Sequence, residues 1–224
     1  MPGIFITFEG GDGAGKSTQI KRLAQRLRRA GHEVVVTREP GGSEGAEAVR
    51  HMLLGGAAET FGPRAEVMLF AAARIDHIRE TIFPALIRDA IVLCDRFYDS
   101  TRAYQGAEED VSDEYLKMME EVSVRGYRPD MTIILDIDPK IGMQRIKSRG
   151  AGASPKDGVD RFEKDTLAIH KKRRNVFLDI AKKETDRCIV VDASQDTKSV
   201  SDVIWSIVHS HLLEDKKFGA RFKQ

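Results

Sequence analysis

The residue types with the clearest chemical demand lie near the start of the chain. Gly10, Gly15, Lys16 and Ser17 occupy the fixed places of the pattern G-x-x-x-x-G-K-[ST], within Gly10-Gly11-Asp12-Gly13-Ala14-Gly15-Lys16-Ser17-Thr18. Backbone N–H groups can converge on a phosphate only where side chains do not block the approach, which is why glycine dominates such a loop. Lys16 then brings a mobile positive charge to the β- and γ-phosphates, and the Ser17 hydroxyl offers a ligand to Mg²⁺. A second group is Asp95-Arg96-Phe97-Tyr98-Asp99-Ser100-Thr101-Arg102-Ala103-Tyr104-Gln105. An Asp beside an Arg at the end of an apolar run sets a metal-side carboxylate next to a phosphate clamp. The expected chemistry is therefore that of a nucleoside triphosphate and a second anionic group.

The elements that must hold these residues follow from periodicity. Ile4 to Phe8 is an apolar run of strand type. After the glycine loop, Ile20, Leu23, Ala24 and Leu27 recur at helical spacing, and Gly31 ends the helix. The phosphates would thus meet a helix N-terminus, which favours anions. Further strands are expected at 33–37, 90–95, 131–137 and 188–191. Helices are expected around 46–54, from Pro63 to an interruption at Pro84, from Ser112 to Gly126, from Pro139 to Gly150, and from about Phe162 to Lys183. A last apolar stripe comprises Val200, Val203, Ile204, Ile207, Val208 and Leu212. Strands alternating with helices predict an α/β fold: a five-stranded parallel sheet covered on both faces, with ligands at the C-terminal strand ends. Gly10, Arg38, Asp95 and Asp136 all fall there.

With 224 residues, the chain suits a single domain spanning 1–224. Its 36 basic and 35 acidic side chains give a net charge of +1, so no global field points to nucleic acid or membrane. Cys94 and Cys188 lie in apolar strands without metal-ligand spacing and read as buried thiols. No basic leader with an apolar core and no run of transmembrane length is present, so a cytoplasmic enzyme is expected. Residues 214–224 are polar and expected to fray. None of the six histidines shows a triad or ligand pattern; surface or packing roles are expected for them.

Together with Thr37-Arg38-Glu39-Pro40-Gly41-Gly42 and Leu69-Phe70-Ala71-Ala72-Ala73-Arg74, the Asp-Arg-Phe and Ala-Tyr-Gln segments resemble the thymidylate kinases, P-loop nucleoside monophosphate kinases. The likeness runs from about Ile4 to Ser194. It implies ATP- and Mg²⁺-dependent phosphorylation of dTMP to dTDP, and a homodimer, for which the apolar helix faces at 46–54 and 65–78 are candidates. It implies that Phe70 stacks on thymine and Arg74 bonds its edge, with the i, i+4 spacing placing both on one helix face. By the same resemblance Arg38 and Arg96 hold the acceptor phosphate, Ser100 and Thr101 lie near the base, and Tyr104 lies against the deoxyribose. Asp12 approaches the sugar hydroxyl or the metal's water shell, and Asp95 joins Ser17 on the metal side. Adenine is expected at the turn Asp192-Ala193-Ser194.

Phosphoryl transfer to an ionised phosphate needs positioning and charge neutralisation, not a strong base. Gly13 stands where some family members carry arginine, so the catalytic arginine is expected in a lid at about 145–162. From Arg145 to Arg174 ten Lys and Arg face four Asp and Glu. Arg149 is the first candidate, with Arg161 and Arg145 beside it, while Lys171 to Arg174 read as a solvated charged face. The rival readings are a kinase for another acceptor, such as dUMP or a nucleoside, and a nucleotide-dependent switch. Two phosphate-clamping arginines argue against a bare nucleoside.

Overall fold

The computed structural model describes residues 3–107, 110–150, 162 and 165–213. Five strands, β1 (Ile4–Glu9), β2 (Val34–Arg38), β3 (Ile91–Asp95), β4 (Met131–Asp136) and β5 (Cys188–Asp192), form one parallel sheet in the order β2-β3-β1-β4-β5. The central strand β1 is buried along its whole length, which is why its sequence does not alternate. Ile4, Ile6 and Phe8 face the core shared with α1 (Lys16–Arg29) and α9 (Thr197–Leu213). Phe5 faces the opposite core with Ile78, Ile82, Phe97 and Tyr98. Full burial of each such side chain stabilises by roughly 1.5–3 kcal/mol. Thr7, also fully buried, satisfies its hydroxyl on Thr132 Oγ1 at 2.8 Å.

The elements agree with the expected order, and the departures have local causes. Helix α3 (Pro63–His77) runs on through a π-turn at Ile78–Ile82 into α4 (Phe83–Leu86), so Pro84 does not stop it. Pro84 cannot donate to the carbonyl one turn back, and the wider turn before it makes room for the ring. The charged helix α8 (Leu167–Lys183) begins five residues later than expected, because Thr166 caps it by accepting the Ile169 N–H. Val203 is 41% exposed and lies outside the packed stripe of α9, whereas Val200, Ile204 and Val208 are buried. A short helix α5 (Tyr98–Tyr104), unforeseen from periodicity, follows β3 directly. Helices α2 (Glu44–Leu54), α6 (Asp113–Val124) and α7 (Pro139–Gly150) fall where they are expected, α6 behind Ser112, whose hydroxyl accepts the Tyr115 N–H. No helix among the described residues is long and apolar enough to cross a membrane.

Candidate active site

The loop between β1 and α1 is shaped by two contacts that only glycine permits. Gly10 has φ +125°, and a Cβ there would stand 2.4 Å from the Leu135 carbonyl oxygen. Gly13 has φ +77°, and its Cβ would meet the backbone oxygen of Gly142 at 2.2 Å. Helix α7 therefore crosses the loop at backbone contact, and no arginine fits at position 13. Helix α1 starts at Lys16 without a side-chain cap or an acid in its first turn, so its N-terminal N–H groups suit an anion. The Lys16 ammonium is buried and rests on the carbonyls of Gly10 and Gly11, 3.0 Å from each. Burial, then the neighbouring Arg96, pull its pKa down to about 8 against the opposing pull of Asp95, Asp12 and Glu9.

On one side of this loop lies a cavity of about 390 Å³ lined by Arg38, Glu39, Phe70, Arg74, Asp95, Arg96, Ser100, Thr101, Tyr104 and Phe162, with Ser17 at its rim. On the other side lies one of about 500 Å³ lined by Gly13, Ala14, Gly15, Thr18, Arg145, Ala193 and Gln195. The expected adenine turn contributes Ala193, whose carbonyl accepts from Arg145 Nη1 at 3.2 Å. The glycine loop thus separates two ligand-sized spaces at the C-terminal ends of the strands.

Arg96 is the hub of the first cavity. Its backbone is left-handed, φ +69°, which is rare for a side chain of this size and is held by its N–H donating to the Phe8 carbonyl at 2.9 Å. The guanidinium pairs with Asp12, donates to Ser100 Oγ at 3.1 Å and to the Tyr104 hydroxyl at 2.8 Å. Tyr104 in turn donates to Asp12 at 2.8 Å. Burial disfavours the Asp12 charge, but Arg96, Lys16 and the Tyr104 hydrogen bond outweigh it and hold the carboxyl below its ordinary range. Arg38, half-exposed, leans on Glu47 at 3.2 Å. Phe70 is half-buried and Arg74, one turn later, is buried, both facing the same cavity.

Metal chemistry was expected at Ser17 and Asp95. The Ser17 hydroxyl donates to Asp95 Oδ2 at 2.6 Å, beside the phosphate loop. One hydroxyl and one carboxylate at the end of β3 are hard oxygen donors of the kind Mg²⁺ takes when phosphates and water complete its shell. The residues present fit the ion.

Several residues in the site went unforeseen. Glu39 is buried and accepts from Arg74 Nε at 2.9 Å, while its other oxygen lies 3.1 Å from His77 Nδ1. His77 Nε2 lies 2.6 Å from Thr37 Oγ1, so this histidine is neither on the surface nor simply packed. Its signal was its place three residues after Arg74, on the same helix face. Glu9 accepts the Phe97 N–H at 2.7 Å and the Ser100 hydroxyl at 2.6 Å. Burial, then the Asp99 charge, push the Glu9 carboxyl up to about 8 despite these donors. Arg173, expected on a solvated face, is buried, and Arg174 is paired with Asp136 through two bonds of 2.6 and 2.8 Å. Asp138 caps α7, its carboxylate accepting the Lys140 N–H. Asp99 is buried against Arg187 and Arg102 and ties α5 to the turn before β5. Of the candidate lid arginines, Arg145 is described in full and Arg149 by its backbone on α7. Arg161, most of the expected lid and the tail 214–224 lie outside the described residues.

A family model described as thymidylate kinase matches residues 8–204. The chain belongs to the thymidylate kinase family. It is 49% identical over 210 residues to the thymidylate kinase of Bradyrhizobium sp. (strain ORS 278), covering 94% of this chain and 91% of that one. It is 50% identical over 210 residues to the thymidylate kinase of Caulobacter vibrioides, covering 94% and 98%. The crystal structure of thymidylate kinase from Ehrlichia chaffeensis superposes with a TM-score of 0.73 at 32% identity, covering 93% of this chain and 99% of that one. The five-stranded sheet and its flanking helices are those of a P-loop kinase, and the protein is a thymidylate-kinase phosphotransferase.

Proposed function

We propose that this thymidylate kinase transfers the γ-phosphoryl group of ATP in line to the 5′-phosphate of dTMP, acting as a cytoplasmic homodimer. One observation carries the residue assignments: beside the phosphate loop, a single cavity collects four arginines, Arg38, Arg50, Arg74 and Arg96, with the Phe70 ring on the helix face of Arg74. Four arginines in one cavity suit a nucleotide monophosphate far better than a bare nucleoside. Phe70 stacks on the thymine, Arg74 donates to its edge with Ser100 and Thr101 close by, and Tyr104 flanks the deoxyribose. Arg38 releases Glu47 to take the acceptor phosphate together with Arg96. The second cavity takes ATP, its adenine beside Ala193 and its phosphates on residues 10–18.

The acceptor oxygen is already ionised, so the reaction needs alignment and a positive field. Lys16 leaves the loop carbonyls to follow the β- and γ-phosphates, and Arg96, locked by Asp12 and Tyr104, keeps the acceptor in line. Ser17 and Asp95 hold Mg²⁺, which neutralises charge on the phosphate oxygens when bound. The further arginine comes from the lid, with Arg149 first and Arg145 and Arg161 as alternatives. An arginine on the transferring group contributes about 10³–10⁵ in rate. Met52, Met68, Ile75, Met118 and Val122 are exposed on α2, α3 and α6 and support a dimer face there.

Rates of ADP formation with dTMP, dUMP, UMP, dCMP, AMP, GMP and thymidine, run in parallel, test this function. dTMP is expected to be fastest, dUMP slower and thymidine silent. The thymine methyl is worth only about 1–3 kcal/mol, so dUMP sets the margin. Another monophosphate winning would overturn the roles of Phe70 and Arg74. An Arg96→Ala enzyme with unchanged kcat/KM for dTMP would remove the phosphate clamp.

A further inference from the structure

Tyr104 lines the acceptor cavity, and besides its hydroxyl bonds to Arg96 and Asp12 its ring meets a cation from α8. The Arg173 guanidinium on α8 lies 4.1 Å from the ring centroid, closer than Arg96 at 4.8 Å. Two guanidinium groups on one ring repel each other unless each is neutralised, and each has its own carboxylate. Arg96 pairs with Asp12, and Arg173 Nη2 donates to Asp165 at 2.5 Å. Arg173 Nη1 reaches the Phe162 carbonyl at 3.4 Å, and the Phe162 ring meets Tyr104 edge-on, with centroids 5.6 Å apart and planes at 89°. Phe162 also lines the acceptor cavity.

Among the described residues the Arg173 Nε, in a side chain only 4% exposed, meets no hydrogen-bond partner. A buried donor left unmet costs free energy. What holds Arg173 is the aromatic ring on one side and the Asp165 carboxylate on the other.

We infer that Arg173 is a positioning residue for the acceptor site. It fixes the Tyr104 ring against the sugar of the bound monophosphate and ties that ring to Phe162 and Asp165, ahead of α8. The inference rests on the acceptor-site assignment above, since Arg173 acts only through Tyr104. It separates Arg173 from Arg174, whose partner is Asp136.

The test is steady-state kinetics of the whole enzyme with dTMP varied at saturating ATP, and with ATP varied at saturating dTMP. The proteins compared are wild type, Arg173→Met, Tyr104→Leu and the double variant. Arg173→Met keeps the apolar stem and is expected to raise KM for dTMP about tenfold, the worth of a desolvated cation–π contact. Its kcat should stay within about threefold, and KM for ATP should not move. The double variant should be no worse than Tyr104→Leu alone, because one contact cannot be lost twice. An unchanged KM for dTMP, equal rises in both KM values, or losses that multiply in the double variant each overturn the role. Should Arg173→Met fail to fold, Asp165→Asn replaces it. That partly exposed carboxylate is expected to raise KM for dTMP several-fold, and no rise overturns the role equally. Failure of the dTMP assignment shows separately, in wild type preferring another acceptor; the variants are then compared with that acceptor.

Discussion

Lys16 and Glu39 show how much a side chain's neighbours decide. In the free enzyme the Lys16 ammonium titrates at about 8, because burial and Arg96 penalise its charge. Triphosphate binding needs that charge and, once present, restores it. The pH profile of kcat/KM for ATP, which reports the free enzyme, should therefore fall above about pH 8, while kcat holds to higher pH. A kcat/KM flat to pH 10 would remove Lys16 from the titration. Glu39 holds the Nε edge of Arg74 and leaves the Nη2 donor on Thr101 at 3.0 Å, facing the cavity. Glu39→Gln weakens a charge-assisted bond worth about 1.5–3 kcal/mol and should raise KM for dTMP about tenfold, with little change in KM for ATP. Equal effects on both substrates would make Glu39 merely structural. Nothing in the sequence distinguished Glu39 from its neighbours in Arg38-Glu39-Pro40. Its role appears only because β2 and α3 bring it to Arg74 and His77.

At the scale of elements, the crossing of α7 over the phosphate loop governs the donor side. Gly142 and Gly13 meet backbone to backbone, and a Cβ on Gly142 would lie 2.5 Å from the Asp12 carbonyl oxygen. Gly142→Ala gains about 1 kcal/mol of helix propensity but forces a backbone clash of the kind that costs about 1–3 kcal/mol. The clash wins, and the helix must lift from the loop. The variant should show a KM for ATP raised about tenfold and a melting temperature lowered by a few degrees, measured by kinetics and thermal unfolding. A variant with unchanged KM for ATP would mean the loop does not depend on this contact. The same crossing explains why position 13 carries glycine, a residue the sequence already marked as the missing arginine site. Only the structure supplied the steric cause.

At the scale of the molecule, the buried site carries an electrostatic cost that the fold must carry. Glu9 ends the central strand, and its carboxyl is pushed up to about 8 by burial and Asp99. The folded protein thus keeps a proton that the unfolded chain releases. Stability from this group is complete below about pH 4.5 and is lost as pH rises through about 8. Wild type should therefore lose melting temperature between about pH 5 and 8 more steeply than Glu9→Gln, whose amide has no proton to lose. Parallel slopes for the two proteins would contradict the buried, protonated Glu9.

The chain by itself determined the parallel α/β order and the phosphate-loop pattern, and it named Arg38, Phe70, Arg74 and Arg96, which the packed chain gathers around one cavity. These rest on local rules: apolar periodicity, caps, glycine spacing and short motifs whose chemistry permits few alternatives. Gly10, Lys16, Ser17, Asp95 and Arg96 were legible because each belongs to a contiguous pattern at a strand end. Tertiary structure alone decided the rest. The Glu39–His77–Thr37 set joins residues up to 40 positions apart, and Arg173 reaches Tyr104 from a helix that reads as a solvated face. Arg173 is buried because α8 turns that side toward α5, and its charge is tolerated because Asp165 and an aromatic ring meet it there. Charge pairing and ring contact across elements leave no periodic trace in a sequence, so only the packed chain discloses them.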